Sequence, residues 1–249
     1  MRAHFVVVVA AWLACGCASA RAERPLAPGA GVTQAEWSRA RERLAWMRST
    51  ESLRPYVLEL RVAMREPWTG RAIQSRGALA VLPHQAARLV LLGPGGGTML
   101  DMWLTRDKFS FNVPAADFKR KGGADPASAH GLPVGFFRWW FLAPLEGRLL
   151  TASQAGASRT FVLREGGGTI TVAESRAAGR VRFVARRREA AELEGIEWSG
   201  RGLTPHAGDR ARYVQDATGL EVEVLVEAVS PDEPDAAAFL DPDDPGVAL

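Results

Sequence analysis

A stretch of thirteen residues decides the fold, and it reads Leu132-Pro133-Val134-Gly135-Phe136-Phe137-Arg138-Trp139-Trp140-Phe141-Leu142-Ala143-Pro144. Five aromatic residues fall within the six positions 136–141. Pro133 stands where a helix can begin, and Pro144 ends it. A helix that is apolar on almost every side is buried all round, as a plug inside a sheet would be. The pattern suits a plain core helix and equally a helix that lines an apolar ligand cavity, because the two differ only in how fully the interior is packed.

On both sides of this stretch, apolar residues recur with a period of two. In the clearest case Leu220, Val222, Val224 and Val226 alternate with mostly acidic residues, which gives one face for an interior and one for water. Similar runs predict strands at 56–61, 78–82, 89–92, 99–104, 109–113, 161–163, 170–172, 181–185, 193–198 and 212–214. Glycine, proline and charged turns separate them, so we predict an α+β fold built on a long, curved antiparallel sheet.

The sequence before the first strand divides into three parts. Residues 17–32 are rich in Ala, Pro and Gly and have no apolar period, which is typical of a flexible tether. Thr33 and Glu36 have capping-box spacing, and apolar residues then recur at helical intervals, so an amphipathic helix is predicted from Gln34 to Arg48. We therefore expect one domain over residues 33–242, followed by a disordered tail at 243–249.

Residues 1–16 resemble a lipoprotein signal peptide. A run of ten apolar residues, Phe5–Ala14, is too short to cross a bilayer but suits a signal sequence. It ends in Ala14-Cys15-Gly16-Cys17, which resembles a lipobox, and Cys17 has the better-placed small residues. Lipidation of Cys15 and ordinary signal cleavage near Ala18–Ala20 are the alternatives. No aspartate follows Cys17, and the resemblance to enterobacterial lipoproteins implies a diacylglycerol/acyl anchor in the outer membrane.

Composition argues against several functional classes. The chain is 47% hydrophobic and 24% charged, with a formal net charge of +3 and no concentrated basic patch, which makes nucleic acid an improbable partner. The only cysteines are Cys15 and Cys17, so a lipidated mature chain has no thiol for catalysis or metal binding. His84, His130 and His206 lack metal-ligand spacing and no catalytic motif surrounds them. We therefore expect no enzyme activity, no metal and no cofactor besides the covalent lipid.

The order of helix, meander, tryptophan helix and second meander resembles the LolA/LolB group of lipoprotein carriers and insertion factors. The motifs that carry the resemblance lie at Arg76–Val81, at Arg88–Pro94 with Met99–Trp103, at Phe109–Pro114, at Leu132–Pro144 and at Glu223–Phe239. Together they cover about residues 34–242. The helix has Ala143 where the family usually has glycine. The turn Gly93–Gly97 has no large apolar residue where LolB presents one on a protruding loop, so the resemblance does not extend to membrane insertion.

The resemblance implies an unclosed half-barrel, covered by helices, whose apolar cavity holds acyl chains. The aromatic residues expected to line that cavity are Trp103, Phe109, Phe111, Phe137, Trp140 and Phe141. It implies a monomeric outer-membrane protein that faces the periplasm and binds acyl chains or lipidated peptides. The alternative is an envelope assembly or stress-sensing scaffold that takes up protein segments. The basic segment 119–123 is expected to be a surface loop, either solvated or touching anionic headgroups.

Overall fold

The computed structural model describes residues 32–49, 52–65, 72–123, 125, 127–142, 145–165, 168–177, 180–189, 192–230 and 232–244. The predicted signal peptide and tether therefore lie outside the described residues, apart from Val32, and so does most of the predicted tail. No helix in the described ranges is long and apolar enough to span a membrane.

The described chain contains two α-helices and thirteen strands. The helices are α1 (Gln34–Ser49) and α2 (Val134–Phe141). The strands are β1 (Tyr56–Arg65), β2 (Ala72–Leu82), β3 (Ala86–Leu92), β4 (Thr98–Thr105), β5 (Lys108–Val113), β6 (Phe118–Gly123), β7 (Arg148–Ala155), β8 (Ser158–Glu165), β9 (Gly168–Ala177), β10 (Arg180–Glu189), β11 (Glu192–Gly200), β12 (Arg210–Gln215) and β13 (Leu220–Ser230). Short 3₁₀ helices lie at Pro114–Ala116 and Ala236–Phe239.

All thirteen strands belong to one antiparallel sheet that does not close. Its order is β6-β5-β4-β3-β2-β1-β13-β12-β11-β10-β9-β8-β7. The chain thus begins at the centre with β1, runs strand by strand to the edge β6, reappears at the opposite edge β7 and returns to pair β13 with β1. The predicted α+β fold with an open half-barrel sheet is confirmed.

One face of the sheet carries the hydrophobic core, and we call it the inner face. Alternation along β1 buries Leu58, Leu60 and Val62, and alternation along β13 buries Val222 and its neighbours at i ± 2. The outer face carries ion pairs across neighbouring strands, such as those of Arg61, Arg88 and Arg212 with Glu227, Asp101 and Glu221 respectively. This separation of apolar and charged faces fixes the register of the sheet.

The two edge strands were not predicted as strands. Residues 119–123 were expected to form a loop, but they belong to β6, which pairs with β5 from Val113↔Phe118 to Lys108↔Gly123. The expectation was wrong because four of the six residues of β6 are exposed, so the strand has no apolar alternation. β7 escaped prediction for the same reason, since only Ala152 is fully buried there. Charged residues on β6 are a common protection of an open edge.

α1 begins at the predicted capping box. The side-chain oxygen of Thr33 accepts a hydrogen bond from the N–H of Glu36 at 3.3 Å, and Glu36 Oε2 accepts one from the N–H of Thr33 at 2.9 Å. These bonds, the backbone one foremost, hold the pKa of the exposed Glu36 below its usual range. Ala40, Leu44 and Met47 form the buried stripe, so the predicted amphipathic helix is confirmed.

Candidate functional site

The chain crosses from one edge of the sheet to the other through α2. β6 ends at Gly123 and β7 begins at Arg148, and α2 lies between them in the sequence. The carbonyl of Pro133 accepts a hydrogen bond from the N–H of Phe137 at 3.2 Å, which starts the helix where the proline predicts. The crossing therefore runs over the inner face, and the sequence between the two edges supplies the side chains that fill it.

α2 is apolar on nearly every side and is buried on nearly every side. Its buried residues are Val134, Phe136, Phe137, Trp139, Trp140 and Phe141. The polar exception is Arg138, whose Nε donates to the carbonyl oxygen of Thr105 at the end of β4, at 2.9 Å. This bond attaches the middle of α2 to the sheet without placing the guanidinium in the apolar interior.

Aromatic rings from α2 and from the second meander form a continuous cluster. Phe136 stacks on Tyr213 of β12, with ring centroids 5.3 Å apart and planes 14° from parallel. Trp140 lies 5.9 Å from Trp198 of β11, which in turn stacks on Phe183 of β10 at 5.4 Å. Each such pair adds about 0.5–1.5 kcal/mol beyond area burial. The cluster therefore fixes α2 against β10, β11 and β12.

Five of the six residues predicted to line a cavity lie in the core that surrounds α2. Phe137 and Phe141 stack at 6.0 Å, and Trp140 stacks on Phe141 at 4.5 Å. Phe109 and Phe111 of β5 belong to the same buried cluster. The sequence did not identify Phe136, Phe183, Trp198 and Tyr213 as their neighbours, because those contacts depend on strand pairing that is remote in sequence.

The structure does not bring Trp103 to the inner face. Alternation along β4 buries Leu100, Met102 and Leu104 in the interior, so Trp103 points to the opposite side. Its indole Nε1 donates to the carbonyl oxygen of Phe239 in the C-terminal segment at 2.8 Å. Trp103 is thus buried beneath that segment on the outer face.

Three indole N–H groups in the interior have no acceptor among the described residues. They belong to Trp139 and Trp140 of α2 and to Trp198 of β11, and each nitrogen is buried. A buried donor without a partner costs about 1–3 kcal/mol, so native interiors contain few of them. Trp103 shows the usual arrangement, with its indole bonded to a carbonyl. The interior therefore holds hydrogen-bond capacity that its own described residues do not use.

Two other polar side chains of the interior, Tyr213 and Gln215, have hydrogen-bond partners. The hydroxyl of Tyr213 donates to Glu194 Oε1 at 2.6 Å. The side-chain oxygen of the buried Gln215 accepts hydrogen bonds from the N–H of Gly131 at 3.0 Å and from the hydroxyl of Thr218 at 2.7 Å. Among the described residues, the buried side-chain nitrogens without a hydrogen bond are the three indoles and Nδ1 of His206, which lies 3.8 Å from Asp209 Oδ2.

α1 packs beside β7 and is held by a buried ion pair. Arg43 Nε lies 3.1 Å from both carboxylate oxygens of Glu174, an inner-face residue of β9, and Arg43 Nη2 donates to the same carboxylate. The side chain of Glu174 is 6% exposed and that of Arg43 is 16% exposed. Arg48, at the end of α1, donates to the carbonyl oxygen of Leu145 through Nε at 3.0 Å. Both bonds connect α1 to the second meander.

Side chains fill the space around α2, since each of its six buried residues is at most 3% exposed. Three grooves of about 450, 720 and 460 Å³ lie elsewhere on the described chain: on the outer face near Arg61 and Arg210, between α1 and the start of β7, and beside Lys121 and Asp243. None of these three is lined by a residue of α2. Two of the six residues predicted to line the cavity, Trp103 and Phe109, border the last of these three grooves.

A buried acid lies close to the aromatic cluster, in the loop before β12. The side chain of Asp209 is fully buried and accepts hydrogen bonds from the N–H of His206 at 2.8 Å and from Arg180 Nη2 at 3.2 Å. Burial raises the pKa of Asp209 above its usual range, although His206 and the arginines act in the opposite direction. Within the described ranges, no three His, Cys, Asp or Glu side chains lie together as metal ligands would.

Comparison with known proteins finds solved structures whose backbones follow a similar path. No protein-family model and no curated protein matches the sequence. Among solved structures, a LolA superfamily protein from Nitrosomonas europaea is similar at 8% identity and a TM-score of 0.47, covering 81% of this chain and 97% of its own. A DUF1329 family protein from Desulfovibrio piger is similar at 9% identity and 0.49, covering 81% and 96%.

A putative outer membrane lipoprotein-sorting protein domain from Vibrio parahaemolyticus is also similar, at 13% identity and a TM-score of 0.46, covering 82% of this chain and 94% of its own. The structural neighbours thus include the group that the sequence resembles. At these identities and TM-scores the likeness concerns the general arrangement of strands and helices, and it assigns no residue of this chain to a site.

Proposed function

We propose that this protein binds acyl chains, or peptides that carry them, in the interior between α2 and the inner face of the sheet. The observation that carries the proposal is the set of three buried indole N–H groups, on Trp139, Trp140 and Trp198, without acceptors among the described residues. An acylated glycerol or an acylated cysteine brings ester, amide or carboxylate oxygens together with long apolar chains. The oxygens of such a ligand can accept hydrogen bonds from the indole N–H groups, and its apolar chains can pack against the apolar side chains around them.

Entry of a chain requires α2 to move relative to the sheet, because aromatic side chains fill the space around it. The contacts that must be exchanged include the bond from Arg138 to the carbonyl oxygen of Thr105 and the ring contacts of α2 with Tyr213 and Trp198. An acyl chain that displaces a ring restores the buried apolar area but not the additional contribution of about 0.5–1.5 kcal/mol from each ring pair, so the ligand must bury more apolar surface than it displaces.

The setting proposed for this activity is the bacterial outer membrane. We propose that Cys17 is lipidated after removal of residues 1–16 and that the monomeric domain faces the periplasm in lipoprotein or lipid transport, without enzymatic activity. Anchoring near a bilayer would keep the interior close to its source of acyl ligands. The proposal for the interior is independent of the anchor and can be tested without it.

The first experiment is the identification of bound lipid. Residues 18–249, which contain every described element, are exported without the anchor, purified without detergent, extracted with organic solvent and examined by mass spectrometry. Stoichiometric acyl lipid or a co-purified acylated peptide supports the proposal. A lipid-free protein that also fails to take up a dansyl-labelled fatty acid would refute it.

A pair of variants tests the indoles themselves. Trp140→Phe and Trp198→Phe keep an aromatic ring but remove the N–H, so each should weaken binding of a palmitoyl ester about fivefold, the equivalent of one net hydrogen bond of about 1 kcal/mol. Binding of the hydrocarbon hexadecane should change much less. Trp46→Phe is the matched control, since Trp46 is 52% exposed on α1. Equal losses for ester and hydrocarbon would show that the N–H groups are not the recognition element.

The open edge β7 supports a second candidate function, the binding of an extended protein segment. Of its eight residues, Arg148–Ala155, only Arg148 is charged, and Leu150 is 39% exposed. A peptide could pair with the free side of this strand. Replacing Gln154 by proline would remove an N–H from the free side of this strand, because Ala155 and Ser158 form a hydrogen-bonded pair and the N–H groups alternate along it. Loss of peptide binding with retained lipid content would favour this second function.

A further inference from the structure

A groove of about 720 Å³ separates α1 from the start of β7. Side chains of α1 form one wall, among them Trp37, Arg41 and Arg48, and Arg148 and Leu149 form the other. The groove is open to solvent and lies outside the aromatic interior. It thus presents a surface that the binding of acyl chains around α2 does not use.

The groove is basic, and the guanidinium groups of two of its arginines have no partner among the described residues. It is lined by three arginines and one carboxylate, that of Glu42, which leaves a formal charge of +2. Arg41 and Arg148 are both exposed, and neither guanidinium group has a hydrogen bond or an ion pair with any part of the chain that the structure describes. Elsewhere on the sheet surface arginines are commonly paired, as Arg182 is with Glu197. Free guanidinium groups on both walls are positioned to bind an anion between them.

The two walls are fixed relative to each other. Arg48 Nη2 donates to the carbonyl oxygen of Gly147 at 2.8 Å, directly before Arg148. Gly147 has a φ of 106°, and a side chain there would lie 2.4 Å from the carbonyl oxygen of Arg164, so only glycine fits. The groove therefore has a defined width and does not depend on a mobile loop.

The apolar residues of the groove point to the kind of anion. Trp37 and Leu149 are half-buried beside the arginines, and indole rings with nearby cations are typical of surfaces that lie at the headgroup level of a bilayer. Position also matters. Seventeen peptide links separate Gln34 from Cys17, so a lipid on Cys17 holds the start of α1 within about 60 Å of the bilayer whatever the conformation between them.

We propose that the groove between α1 and β7 docks the protein onto anionic phospholipid headgroups, with Arg41 and Arg148 contacting phosphate and Trp37 inserted at the level of the headgroups. This goes beyond the uptake of acyl chains, because it concerns the outside of the domain and sets its orientation on the membrane. It turns the α1 side of the half-barrel towards the lipid surface.

The test uses residues 18–249, without the anchor, and vesicles of phosphatidylcholine alone or mixed equally with phosphatidylglycerol. The chain should co-sediment with the mixed vesicles and not with phosphatidylcholine, and binding should fall with added salt. Arg41→Gln/Arg148→Gln should weaken binding about 30-fold, at about fivefold for each charge removed. Trp37→Ala should weaken it on mixed vesicles without changing its dependence on salt.

The matched control is Arg186→Gln/Arg210→Gln, which removes two exposed arginines from β10 and β12. It should retain most of the binding. Equal weakening by the two double variants would show that net charge alone attracts the protein, and equal binding to both kinds of vesicle would refute the role of the arginines. Bound acyl lipid, measured by mass spectrometry, should be unchanged in Arg41→Gln/Arg148→Gln, which separates this proposal from that for the interior.

Discussion

Removing Arg43 should destabilise the protein by leaving the carboxylate of Glu174 buried without its main partner. Arg43→Met keeps most of the apolar stem but removes the guanidinium. Breaking a buried ion pair from one side costs about 3–5 kcal/mol. Here Arg176 Nε remains 3.6 Å from the same carboxylate, but its side chain is 57% exposed and compensates only in part. We therefore expect a loss of about 2–3 kcal/mol in the free energy of unfolding.

A double-mutant cycle in urea measures this directly. Glu174→Leu leaves Arg43 without its carboxylate partner. Because Arg43 is the more exposed of the two residues, this variant should lose less free energy of unfolding, about 1–2 kcal/mol. The double variant, Arg43→Met/Glu174→Leu, replaces the pair with apolar side chains and should lie within about 1 kcal/mol of the parent chain. With an m-value of about 2–3 kcal/mol/M, Arg43→Met should lower the urea midpoint by roughly 1 M.

The control is Arg39→Met, one turn earlier in α1, since Arg39 is exposed and, among the described residues, its side chain donates only to the carbonyl oxygen of Ala35 in its own helix, at 3.3 Å. It should change stability by less than about 0.5 kcal/mol. If Arg43→Met costs no more than Arg39→Met, or if the two losses simply add in the double variant, the buried pair does not hold α1 and the reasoning fails.

Three further predictions concern the rest of the fold. Gly77→Ala should cost more than about 3 kcal/mol in urea unfolding, because its Cβ would lie 2.0 Å from the carbonyl oxygen of Val90, whereas Gly97→Ala, with open space around it, should be nearly neutral. Phe239→Ala should release the C-terminal segment to limited proteolysis while the sheet persists. Asp209→Asn removes an acid whose pKa is raised, so the parent should lose stability relative to the variant as pH rises from about 4, and parallel pH profiles would contradict this.

Much of the fold could be predicted because the residues that decide it act locally. The capping box of Thr33 and Glu36 marks where α1 begins, and Pro133 marks where α2 begins, whereas Pro144, predicted to end α2, lies outside the described residues. The alternation of apolar and polar residues is clear wherever one face of a strand is buried and the other is exposed to solvent, as in β13. Edge strands such as β6 have water on both faces, so their sequences carry no period, and they become strands only because a neighbour offers hydrogen bonds.

The candidate site could be predicted only in part. The aromatic composition of α2 makes the helix recognisable in the sequence. The rings that pack against it, those of Trp198 and Tyr213, come from strands that follow it by more than fifty residues. Trp103 was misplaced although the signal was present, because it is out of phase with Leu100, Met102 and Leu104 on the same strand. Period-two phase is therefore a better guide to the inner face than aromatic character.

The order of strands has a consequence for how the chain folds. Of twelve pairings, eleven join strands that follow one another directly, and only β1 with β13 joins the two ends of the domain. The eleven hairpins can close early, whereas the central seam must wait until the chain has been synthesised as far as Ser230. Until then β1 and β13 are both exposed edges. We expect a late kinetic phase in refolding that reports the closure of this seam.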